Sequence, residues 1–142
     1  MAILGAHQSI VGGFDKAVER ARSSGCDCLQ LFTKNNNQWS AKDITRGAAE
    51  RFRHALDSLG IKHPLAHDSY LINLASPDAE LWQKSVDAFA IELERCETLG
   101  LAGRVMHPGS HTGSGIDAGT QRVAEGLSEA FRRAPGNRTE VW

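Results

Sequence analysis

Long apolar runs are missing from this chain of 142 residues, and no stretch of about 18 consecutive apolar residues is there to cross a bilayer. An excess of one charge is missing too: 16 Lys and Arg stand against 17 Asp and Glu, for a net charge of -1. That excludes a whole-chain basic field able to hold a polyanion, so a nucleic-acid partner needs a local patch or a metal. Cysteine is scarce and odd in number, as Cys26, Cys28 and Cys96. Met1-Ala2-Ile3-Leu4-Gly5 has neither a basic n-region nor a long apolar h-region, and the expectation is reduced thiols in a cytoplasmic protein. No second pair accompanies Cys26 and Cys28, which read as small core residues at a strand start. With only 4 prolines, 41% hydrophobic and 23% charged residues, disorder is not indicated and one domain is expected.

What is present is a repeated strand-then-helix unit, marked by Gly25, Gly60, Gly100 and Gly136 just past each helical pattern, where a left-handed C-cap favours a residue without Cβ. The predicted strands are Ala2 to Ala6, Cys28 to Phe32, His63 to Ala66, Arg104 to Met106 and a fifth starting at Thr139. The predicted helices run from about Gly13 to Ser23, Asp43 to Leu59, Ser76 to Leu99 and Ala118 to Arg133. Trp82, Val86, Phe89, Leu93 and Cys96 recur at alternating four and three on the third, with Ser76 as its cap and Pro77 in its first turn. Val123, Leu127 and Phe131 are expected to face inward on the fourth. The fold class is α/β: parallel (β/α) units forming the N-terminal half of a (β/α)8 barrel, four units and the start of strand five.

Two stretches carry the chemistry. His67-Asp68-Ser69-Tyr70-Leu71-Ile72-Asn73-Leu74 and His107-Pro108-Gly109-Ser110-His111 each open with a histidine where a short apolar run gives way to turn-forming residues. In a parallel α/β fold that boundary is the carboxyl end of a strand, the rim where ligands bind. Two imidazoles at one rim are the start of a metal site. Asp68 could support His67 as its hydrogen-bond partner, but if the strand continues its side chain points the other way and it is left out of the site; His111 is expected to support the loop rather than ligate. His54 and His63 are given no role, and Lys34 is a candidate phosphate contact.

Taken in order, Gly5-Ala6-His7, Gly12-Gly13, Leu31-Phe32-Thr33-Lys34-Asn35 with Gln38-Trp39, the His67 and His107 stretches, and Arg95-Cys96-Glu97 before Leu99-Gly100 resemble endonuclease IV, the zinc-dependent apurinic/apyrimidinic endonuclease family. The resemblance implies a xylose isomerase-like barrel and a DNA-repair phosphodiesterase that cuts double-stranded DNA on the 5′ side of an abasic site, with three zinc ions in the complete enzyme. His67 and His107 would be zinc ligands, Tyr70 would press into the DNA near the missing base, and Asn35 and His7 would line the DNA. Asn37 stands where the family often carries an intruding arginine, so the wedge would rest on Tyr70. Glu140 is not matched to a ligand, because the family's strand-five glutamate belongs to a Glu-Asn-Thr-Ala-Gly motif expected beyond Trp142. The chain is therefore expected to be an incomplete, inactive fragment, needing the missing half or a second copy to close the barrel. Two alternatives stay open: a non-catalytic half-barrel that binds metal or a partner, and a sugar isomerase or epimerase on the same barrel.

Overall fold

The computed structural model describes residues 2–142. Strands β1 (Gly5–His7), β2 (Cys28–Phe32), β3 (Lys62–His67), β4 (Gly103–Val105) and β5 (Glu140–Val141) alternate with helices α1 (Phe14–Ser23), α2 (Arg46–Leu59), α3 (Ala79–Leu99) and α4 (Ile116–Arg133). All four strand pairings are parallel, in the spatial order β1-β2-β3-β4-β5. Each parallel neighbour requires a crossover, and the right-handed one puts every helix on the same side of the sheet. The result is half of a (β/α)8 barrel, as the repeat of units predicts. Among the described residues no helix is long and apolar enough to cross a membrane.

The pleat of β2 shows how the layers divide. Leu29 and Leu31 are buried against the helices, while Cys28, Gln30 and Phe32 face the other side and are half-buried. Ala17, Val18 and Ala21 of α1, Phe52 and Leu56 of α2, and Cys96 and Leu99 of α3 fill the first core cluster. A second cluster gathers Leu74, Val86, Phe89, Leu93 and Ala130. The glycines Gly25, Gly60, Gly100 and Gly136 have φ of 72°, 67°, 75° and 77°, the left-handed conformation their positions predict.

Several boundaries differ from the sequence expectation, each for a local reason. β1 starts at Gly5 rather than Ala2, because both main-chain groups of Leu4 are held by Asp27 instead of the ladder. α2 starts at Arg46, where Thr45 Oγ1 accepts the Ala48 N–H at 3.2 Å. α3 is capped by Asp78, whose carboxylate accepts the Leu81 N–H at 2.7 Å, so Ser76 and Pro77 lie outside the helix. Phe131 is exposed rather than inward; Gly126 and Ala130 form the buried face of α4, and Val123 and Leu127 pack onto the core beside them. His63 takes a φ of 50° just before Pro64, where the register between β2 and β3 slips.

Behind the strand ends lies a buried charge cluster absent from the sequence expectation. Arg104, fully buried on β4, donates to Glu92 Oε2 at 2.8 Å and to the Phe89 carbonyl at 3.0 Å, with its guanidinium over the Phe89 ring. Lys34 Nζ lies 3.4 Å from Glu92 Oε1 and also donates to the Gln38 carbonyl. The Ser69 N–H points at Glu92 Oε2 from 3.4 Å. Lys34 is thus turned inward and 5% exposed, which corrects its reading as a phosphate contact. Two buried cations around one carboxylate make its removal costly, because both would be left uncompensated. Glu92→Ala is expected to destabilise the chain by about 3 to 5 kcal/mol in denaturant unfolding; a loss under about 1 kcal/mol would show that the cluster does not hold the strand ends.

Candidate functional site

The site assembles at the carboxyl ends of the strands because β2, β3 and β4 end in register. Phe32 pairs with His67, and His67 with Val105, so the residues that follow emerge from one rim. The rings of His67 and His107 lie 5.0 Å apart between centroids, on neighbouring strand ends. His7 joins the same rim from β1, 6.5 Å from His67 and 4.4 Å from Phe32, with Nδ1 3.1 Å from Gln30 Oε1. Tyr70 stands above this aromatic group, 62% exposed, with its ring edge-on to Phe32 at 5.4 Å and to His67 at 5.7 Å.

The loops around the pair have different supports. Asn35 and Asn37 are exposed, and Asn35 Oδ1 accepts the Asn37 N–H at 2.9 Å in a local turn. Asn36 is fixed from the next loop by Ser69 Oγ, which donates to its carbonyl at 2.7 Å. Together with His7 and Phe32 these asparagines line an open groove of about 620 Å³. His111 is the supporting residue expected: its Nδ1 accepts N–H groups from Gly113 and Gly115, both at 3.2 Å. His54 and His63 are exposed. Trp39, 37% exposed, packs less completely than a residue under a loop, whereas Trp82 donates its indole N–H to the Arg122 carbonyl at 3.1 Å.

Asp68 takes the alternative the sequence offered, a partner of His67, although it follows on the strand. Its carboxylate, 1% exposed, reaches back so that Oδ1 lies 3.3 Å from His67 Nδ1, while its carbonyl oxygen is 2.9 Å from the same nitrogen. A carbonyl can only accept, so Nδ1 carries the proton and the Nε2 lone pair of His67 is free for a ligand. Glu92, Arg104 and Asn73 were missed as supports of the site. A lone arginine in the strand Gly103-Arg104-Val105 was the available signal, since a charge in a covered strand needs a buried partner. The donor set is partial: among the described residues no group of three His, Cys, Asp or Glu converges as a metal site. Two imidazoles with free lone pairs nevertheless suit a soft-to-borderline divalent cation.

Burial pushes the Asp68 carboxyl up to about 6 from 3.8, with Glu92 adding to the rise and Arg104, His67 and the His107 N–H opposing it. Between those values the folded chain holds a proton that the unfolded chain has released, so this group's contribution to stability falls as pH rises through the window. The stability of Asp68→Asn relative to the unsubstituted chain should accordingly grow by on the order of 3 kcal/mol from pH 3.5 to pH 7. A flat difference in chemical unfolding across that range would show the carboxylate to be well solvated.

Comparison with known proteins bears on this rim. Residues 18–141 match the family described as xylose isomerase-like TIM barrel. A curated relative from a Geobacter species, named probable endonuclease 4, is 48% identical over 135 residues, which are 95% of this chain and 48% of the relative. The crystal structure of endonuclease IV from Thermus thermophilus superposes with a TM-score of 0.83 at 34% identity, over 97% of this chain and 51% of that one. A xylose isomerase domain protein from Planctomyces limnophilus, 15% identical with a TM-score of 0.69 over 98% of this chain and 52% of its own, shares the fold. The chain spans about half the length of the curated relatives it matches. The match over residues 18–141, together with the repeated strand–helix units, places this chain in the xylose isomerase-like TIM barrel family.

Proposed function

We propose that this chain supplies the first half of a zinc-dependent apurinic/apyrimidinic endonuclease of DNA base-excision repair, one that hydrolyses the phosphodiester 5′ to an abasic site in the cytoplasm. The observation that carries the reading is the pair of imidazoles, His67 and His107, 5.0 Å apart on adjacent strand ends beneath an exposed tyrosine. The names of the Geobacter relative and the Thermus thermophilus structure, endonuclease 4 and endonuclease IV, support the reaction class.

In this reading His67 and His107 each offer one ring nitrogen to zinc, and Asp68 orients the first of them through Nδ1. Zinc, when bound, supplies an activated water at neutral pH and stabilises charge on the phosphate oxygens. The chain's own residues hold the substrate. Tyr70 presents an exposed aromatic ring to the space left by a missing base, and Asn35, Asn37 and His7 offer hydrogen bonds to a backbone lying in the groove between the loops that follow β1 and β2. Asn37 brings no charge, so Tyr70 carries the wedge. The remaining ligands belong to the second half of the barrel, supplied by further chain or by a second copy. A sugar-isomerase activity on the same fold is the weaker reading, because Tyr70 stands out from the rim instead of closing over a small cavity.

Two outcomes are expected. The purified 142-residue chain should show weak zinc binding that His67→Ala or His107→Ala abolishes, and no chelator-sensitive incision of an abasic-site duplex; turnover by this chain alone would overturn its assignment as a half-enzyme. Tyr70→Ala should weaken binding to an abasic duplex by about 1 to 3 kcal/mol in fluorescence anisotropy and leave binding to an intact duplex nearly unchanged, whereas equal losses on both would remove the wedge role.

A further inference from the structure

The side chain of Asn73 joins the two histidine-bearing loops. Asn73 lies in the β3–α3 loop, six residues beyond His67. Its Nδ2 donates to the Ser110 carbonyl at 3.0 Å and its Oδ1 accepts the Ser110 N–H at 2.9 Å, so one amide binds both polar groups of one residue in the β4–α4 loop. Oδ1 accepts the Ala75 N–H as well, at 3.1 Å, and the Asn73 N–H is held by Ser85 Oγ at 3.0 Å, which donates in turn to the Leu81 carbonyl. Asn73 is thereby fixed to helix α3 on one side before it reaches across.

The other loop is built to receive it. A Cβ on Gly109 would meet Asn73 Oδ1 at 2.0 Å, and Gly109 has a φ of 103°, so both space and backbone exclude a side chain there. His107, Pro108, Gly109 and Ser110 are all exposed. Apart from the His107 N–H facing Asp68, the hydrogen bonds that tie this stretch to the rest of the protein run to Asn73, among the described residues.

We propose that Asn73 is a positioning residue: by clasping Ser110 it fixes the His107 imidazole at its distance from His67, setting the spacing of the pair read above as zinc ligands. No other amide- or carboxylate-bearing side chain fits as well. Aspartate keeps the two acceptor contacts but faces the Ser110 carbonyl without a donor, and glutamine moves the amide outward by one methylene.

The test is solution NMR on the full chain, comparing Asn73→Asp, Asn73→Ala and the unsubstituted protein. The readouts are the ring-to-ring Overhauser contact between His67 and His107 and the exchange rate of the Ser110 amide, with the Leu31 and Ala66 amides as fold controls. The expected result is loss of the ring contact and exchange at Ser110 faster by about tenfold, with both controls unmoved. Retention of the ring contact at full intensity while Ser110 exchange rises would overturn the proposal, because Asn73 would then order the loop without setting the pair. Asn73→Asp preserves volume, so it carries the test if Asn73→Ala does not fold. Adding Zn2+ to the same samples separates the two readings: ring signals of the unsubstituted chain that ignore zinc would count against the metal assignment, while the ring contact would still decide the role of Asn73.

Discussion

The carboxylate of Glu92 is the contact on which the rim depends. It grows from the inner side of α3, yet it meets Arg104 on β4, Lys34 after β2 and the main chain at Ser69 after β3. Three strand ends are thereby referred to one point on one helix. Charges buried this deeply, Arg104 fully and Glu92 at 2% exposure, are tolerated only with partners in good geometry, so the network permits one arrangement of the strand ends and penalises others. The aromatic and imidazole groups of the rim stand on that arrangement.

Above the charge cluster a second, neutral set of bonds joins loop to loop. Ser69 reaches the Asn36 carbonyl on one side, and Asn73 reaches Ser110 on the other. The loop after β3 is therefore the middle member of three, tied both ways by short polar side chains. Arg95 extends the same plan from α3, donating to the carbonyls of Thr33 and Lys42 at the two ends of the asparagine-rich loop. Half of its barrel is enough for this region to be internally braced, although one sheet face, with Gln30, Phe32, Leu65 and Val105, is only half covered.

The sequence showed the units because their signals are local. Apolar recurrence on α3, glycine after each helix and the histidines where apolar runs stop depend on near neighbours in the chain, and the structure reproduces all three. Boundaries moved where a side chain a few residues away won a main-chain group, as Asp78 did over Ser76 and Thr45 over Asp43. The supports of the site were hidden for the opposite reason. Glu92 and Arg104 are twelve positions apart, and Asn73 and Ser110 thirty-seven, so neither pairing leaves a periodic trace. Asp68 shows the limit of alternation as a guide: its N–H still bonds the Val105 carbonyl and its carboxylate feels Arg104 and Glu92 behind the strands, yet Oδ1 comes within 3.3 Å of His67 Nδ1.

The asparagine-rich loop carries a consequence of how it is anchored. Its fixed points are main-chain oxygens: Arg95 of α3 grasps those of Thr33 and Lys42, Ser69 that of Asn36, and Lys34, itself paired with Glu92, that of Gln38. The tip residues bond within the loop: Asn35 Oδ1 accepts the Asn37 N–H and the Asn35 carbonyl accepts the Gln38 N–H. Side chains at the crest can therefore be exchanged without loosening the scaffold beneath them, leaving a surface on which selection can adjust what the loop meets independently of what holds it together.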